Sequence, residues 1–143
     1  MVGAAAKKLS LKKKQLPFMS KKQEEGLKMS LFFYYLWHTR EMKCSCCGRK
    51  AYGDPVSTWF DHLLEKSKYP EIKYLEDNIY VVCPDHHSLK TNGFPLDPHR
   101  EAIKEFETKY FDNKEFYIEK ARIFEEEILN NLLEKYVETT KES

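Results

Sequence analysis

The chain of 143 residues lacks any apolar run long enough to cross a bilayer, and its first thirty residues are interrupted by lysines throughout. The longest hydrophobic stretch, Leu31-Phe32-Phe33-Tyr34-Tyr35-Leu36-Trp37, is far too short to span. At helical spacing it reads as a core helix, and no membrane role follows. The chain also lacks a large net charge of either sign, since lysine and arginine exceed aspartate and glutamate by only one. That balance hides an uneven distribution. Met1 to Ser30 carries Lys7, Lys8, Lys12, Lys13, Lys14, Lys21, Lys22 and Lys28 against Glu24 and Glu25, whereas Glu101 to Ser143 is predominantly acidic.

Cysteine is scarce, yet it is concentrated. The four cysteines fall in two clusters, Cys44-Ser45-Cys46-Cys47-Gly48 and Cys83-Pro84-Asp85-His86-His87. A disulfide framework belongs to small secreted domains, and with no apolar leader in the sequence a reducing, cytoplasmic compartment is the expectation. Buried free thiols are the plain alternative. The spacing points elsewhere: Cys44 and Cys47 at C-x-x-C, with Gly48 to permit the turn, supply half of a tetrahedral zinc shell, and Cys83-x-x-His86 supplies the rest. Cys46 is left over because Cys44-x-x-Cys47 has the better spacing.

Between and beyond these clusters run Thr58-Trp59-Phe60-Asp61-His62-Leu63-Leu64, Asp77-Asn78-Ile79-Tyr80-Val81-Val82-Cys83 and His87-Ser88-Leu89-Lys90. Over about Trp37 to Asn92 this order resembles the HNH nucleases, also called His-Me finger or ββα-metal enzymes, in a small phage-type or recombination-associated form. Zinc cysteines in that family often run C-x-x-C at both ends, so His86 in the fourth position is a departure that still leaves a competent ligand.

The resemblance implies a metal-dependent endonuclease acting on DNA. His62 is the candidate general base, because a neutral imidazole can accept the proton of an attacking water near pH 7. Asn78 would hold the loop that orients it. Asp61 and His87 would hold a catalytic divalent cation, magnesium or manganese, through an oxygen and a nitrogen. Each residue also has a duller reading: Asp61-His62 as a pair capping a strand end, Asn78 as a turn residue, His87 as an exposed helix residue. A non-catalytic zinc module for nucleic acid or a protein partner is the competing function.

The expected fold is α+β: a zinc-stapled ββα finger, treble-clef-like, flanked by N- and C-terminal helices. Val56 to His62 and Ile79 to Val82 read as strands. A helix is expected from Pro84, ended by Asn92-Gly93. The organisation reads as a basic arm over 1–25, a helix plus finger over 26–96 and a helical extension over 97–143. Lys12, Lys13 and Lys14 of the arm, with Lys66, Lys68 and Lys90, are the candidate phosphate contacts. In the extension, Tyr117, Ala121, Phe124, Ile128, Leu129, Leu132, Leu133 and Tyr136 form an apolar stripe, which packs back on the domain or serves as the seam of a homodimer.

Overall fold

A computed structural model of the chain describes residues 19–94 and 96–142. Helix α1 spans Lys21–Thr39. Ser20 starts it with a reciprocal cap, in which the Gln23 N–H donates to Ser20 Oγ at 3.1 Å and Gln23 Oε1 accepts from the Ser20 N–H at 2.9 Å. The helix therefore begins before residue 26. Lys21 and Lys22, read from sequence as part of the arm, lie in its first turn.

Two short strands follow, β1 (Phe60–His62) and β2 (Ile79–Val81), antiparallel with Phe60 opposite Val81, Asp61 opposite Tyr80 and His62 opposite Ile79. The expected strand from Val56 is cut to its last three residues. Ser57–Trp59 instead forms a 3-10 turn in which the Trp59 N–H donates to the Val56 carbonyl. With β2 only three residues long, no ladder is available to hold the earlier residues extended, and β-propensity without a partner strand does not make a strand.

Helix α2 runs over Pro84–Thr91, with Pro84 in its first turn. Helix α3 is Asp97–Asp112. The rest is a helix in three parts: α4 (Lys114–Phe124), a π-helical stretch (Glu125–Leu129) and α5 (Asn130–Glu142). The described residues are thus α+β and mostly helical, with a small two-stranded sheet.

Two apolar clusters organise these elements. Phe32 and Leu36 of α1, both fully buried, meet Trp59, Phe60, Tyr74, Ile79, Val81, Val82 and Leu129. Burying each large apolar side chain of this kind contributes about 1.5–3 kcal/mol. The second cluster joins Leu63, Leu64, Ile72 and Leu75 to Phe106, Tyr110 and Ala121. α3 and α4 therefore share a core with the segment between the strands, and residue 96 is not a packing boundary.

The π stretch widens one turn of the final helix as its buried face passes from Ala121 in the second cluster to Leu129 in the first. Lys28 of α1 pairs with Glu125 there. Of the C-terminal stripe, Ala121, Leu129 and Leu133 are buried, as is neighbouring Val137, while Ile128 and Tyr136 stay exposed. Among the described residues no helix is long and apolar enough to cross a membrane.

Candidate metal centre and adjoining cleft

The first site is a knuckle and a helix start brought face to face. Gly48, at φ +80°, allows the reversal after Cys47, and the Gly48 N–H closes the turn onto the Cys44 carbonyl at 2.9 Å. The turn is tied at both ends. Cys44 N–H donates to the Arg49 carbonyl at 2.8 Å, and Ser45 N–H donates to the Val81 carbonyl at the end of β2 at 2.9 Å.

Cys83 then leaves the sheet and His86 follows on the first turn of α2, so four donor atoms, from Cys44, Cys47, Cys83 and His86, lie within 4.8 Å of one another. Cys47 Sγ to Cys83 Sγ is 3.9 Å, Cys44 Sγ to His86 Nδ1 is 3.4 Å and Cys83 Sγ to His86 Nδ1 is 3.1 Å. A tetrahedral zinc with its usual bond lengths sets sulfur–sulfur edges near 3.8 Å and sulfur–nitrogen edges near 3.5 Å. The cluster could hold a metal ion, and its donor set suits zinc.

Burial alone would raise the Cys44 thiol, but backbone N–H groups of Cys83, Cys47 and Cys46, with His86, lower it to about 6. That favours the thiolate a metal needs. Cys46 stays outside the cluster: its N–H donates to Cys44 Sγ at 3.4 Å, and burial pushes its own thiol up. All four cysteines are free thiols.

The second site opens on the other side of the same elements. Asp61, His62, Glu65, Lys66, His87 and Lys90 line a cleft of about 360 Å³, walled by Phe33 and Phe60, whose rings stack at 4.8 Å. His62, half-buried at the end of β1, places Nε2 2.9 Å from the Lys73 carbonyl. A carbonyl only accepts, so Nε2 carries the proton and Nδ1 keeps its lone pair. Burial draws the His62 imidazole below its ordinary value, against the opposing effect of that carbonyl. The ring is neutral at pH 7.

Asn78 is fully buried in the turn before β2. Its Oδ1 accepts from the Leu64 N–H at 2.8 Å and its Nδ2 donates to the Leu64 carbonyl at 3.0 Å, so one side chain clamps the peptide that leaves β1 behind His62. Arg40, just past α1, fixes the other side of this turn by donating to the Ile79 carbonyl at 2.6 Å and to the Glu76 carbonyl.

His87 follows His86 on α2, yet it turns away from the thiols and donates from Nδ1 to the Thr58 carbonyl at 2.8 Å. The 3-10 turn that replaces the expected strand supplies this carbonyl. Fixing the proton on Nδ1 leaves Nε2 as the free donor atom, the arrangement typical of a metal-binding imidazole.

Asp61 is buried between two cations or donors. Lys90 Nζ lies 3.3 Å from Oδ1 and His99 Nε2 lies 2.9 Å from Oδ2. Burial by itself would raise this carboxyl, but the hydrogen bond from His99 and the charge of Lys90 prevail and hold it below the usual range. Asp61 is the acid form's opposite: an ionised oxygen donor.

Of the proposed phosphate contacts, Lys66 and Lys90 line the cleft and exposed Lys68 does not; Lys12, Lys13 and Lys14 lie outside the described residues. Two residues at the site were missed in the sequence. Arg40 left no local mark. His99 could have been found from α3, where His99, Phe106 and Tyr110 fall on one helical face and all three are buried. Comparisons of this chain with protein-family models, curated proteins and solved structures found no match.

Proposed function

We propose that this chain is a metal-dependent endonuclease of HNH type that hydrolyses DNA phosphodiester bonds, with a structural zinc held apart from the reacting groups. The observation that carries this reading is the convergence of Asp61, His62 and His87 on one cleft, with Asn78 clamping the peptide behind the base. A zinc module alone needs only Cys44, Cys47, Cys83 and His86. It has no use for a second oxygen-and-imidazole pair in an adjoining cleft.

The residues suit a hard divalent cation, magnesium or manganese, because Asp61 offers an ionised oxygen and His87 an imidazole whose other nitrogen is already committed to Thr58. When bound there, such an ion would supply positive charge against the scissile phosphate and the departing oxygen. His62 takes the proton of the attacking water on Nδ1, while the Lys73 carbonyl keeps its tautomer fixed. Lys66 and Lys90 meet the phosphates along the cleft, where each contact adds affinity by counterion release.

A cleavage assay on duplex, nicked and branched DNA, with and without magnesium or manganese, tests the reading. Divalent-dependent cleavage that disappears in Asp61→Asn and His87→Ala, at unchanged zinc content, is the expected result. Zinc-loaded protein that cleaves no substrate under any of these conditions would sink the nuclease and leave a zinc-stapled binding module.

A further inference from the structure

His99 lies on α3, beyond the stretch of sequence that carries the rest of the cleft, and it is fully buried. Its Nε2 donates to Asp61 Oδ2 at 2.9 Å. Its ring stacks on Tyr80 at 4.6 Å and 28°, and Tyr80 is the residue directly opposite Asp61 across the two strands. Asp61 and Tyr80 thus share one face of the sheet, and His99 is bonded to the first and stacked on the second.

The other nitrogen, Nδ1, is buried and has no hydrogen-bond partner among the described residues. Leaving a buried polar atom unpaired costs stability, and an apolar side chain in the same place would avoid the cost. Packing therefore does not account for an imidazole here. The bond to Asp61 does.

We infer that His99 is a positioning residue that fixes the Asp61 carboxylate for divalent-cation binding. It ties back Oδ2, so that Oδ1, which pairs with Lys90 at 3.3 Å, is the oxygen a cation would take in place of that ammonium, and Asp61 and Lys90 both line the cleft. A ligating carboxylate free to turn about its last bond would spend part of its binding energy on being ordered; a donor behind it removes that loss. The inference rests on the reading of Asp61 as a cation ligand. It adds that α3 is part of the site.

The test uses the full zinc-loaded chain and manganese alone, with affinity followed by electron paramagnetic resonance and no DNA present. His99→Leu should bind manganese roughly 10–100-fold more weakly at unchanged zinc content, as for loss of a group that orients a ligand. His99→Gln, whose amide nitrogen reaches the place of Nε2, should recover most of the affinity. In cleavage, the manganese concentration for half-maximal rate should rise in His99→Leu while the rate at saturating manganese recovers.

Equal manganese affinity in wild type and folded His99→Leu overturns the role of His99 and leaves the nuclease reading intact. If His99→Leu does not fold, His99→Gln is compared with His99→Asn, whose amide stops one bond short of Asp61. Weaker binding by His99→Asn supports the inference and equal binding overturns it. A wild type that binds no manganese, or an Asp61→Asn variant that binds as well as wild type, overturns the cation site and this inference with it.

Discussion

Asn78 and Leu64 exchange two hydrogen bonds, amide to carbonyl in both directions, fourteen residues apart and wholly out of solvent. Asn78→Ala leaves both backbone groups of Leu64 buried and unpaired, at about 1–3 kcal/mol each. Asn78→Asp keeps the acceptor but loses the donor. We expect melting temperature to fall in the order wild type, aspartate, alanine, and cleavage per folded molecule to fall with it because the peptide behind His62 is released. A calorimetric series on the three proteins, with activity normalised to the folded fraction, checks both; a stable and active Asn78→Ala ends the clamp.

The thiol cluster makes a prediction about which cysteine matters. Purified protein should carry about one zinc per chain, and Cys83→Ser should lose the metal and unfold the knuckle together with the start of α2, since metal binding is folding free energy in so small a unit. Cys46→Ser should keep both metal and melting temperature. Elemental analysis beside thermal melts decides the matter, and zinc loss in Cys46→Ser would reassign the shell.

For His62, substitution by alanine should lower cleavage by about two to four powers of ten while DNA affinity and melting temperature stay close to wild type. Its partner is the backbone carbonyl of half-buried Lys73, which water can reach once the ring is gone, so the folded state loses little without it. Activity retained per folded molecule would make His62 a packing residue of the Phe33–Phe60 wall.

Phe106 ties α3 to the segment between the strands, and it is buried beside Tyr110 and Ala121. Phe106→Ala should cost about 3–5 kcal/mol. Hydrogen exchange should then rise in α3 and in residues 63–75 together, as the two sides of one core. Exchange confined to α3 would mean that the C-terminal helices are an independent layer.

How much of this could be read in advance follows from distance along the chain. Cys44-x-x-Cys47 and Cys83-x-x-His86 were legible because each half of the cluster is made by a single turn, and local spacing encodes a single turn. The helix from Pro84 was legible for the same reason. The strand from Val56 was misread because its fate depends on a partner: β2 ends after three residues, and Trp59 turns instead of extending. His99 is 38 residues from Asp61 and Arg40 is 39 from Ile79, separations at which side chains meet only after the core has formed. No motif records such meetings, and only the buried face of α3 hinted at the first.

His86 and His87 are joined by one peptide bond, yet one faces the thiols and the other the cleft. Consecutive residues on a helix diverge by about 100°, so α2 works as a two-armed crank with no slack between its arms. Turning it to improve either arm spoils the other, and inserting one residue between them would swing one arm out of its site altogether. At this peptide bond the chain can accept no change of length.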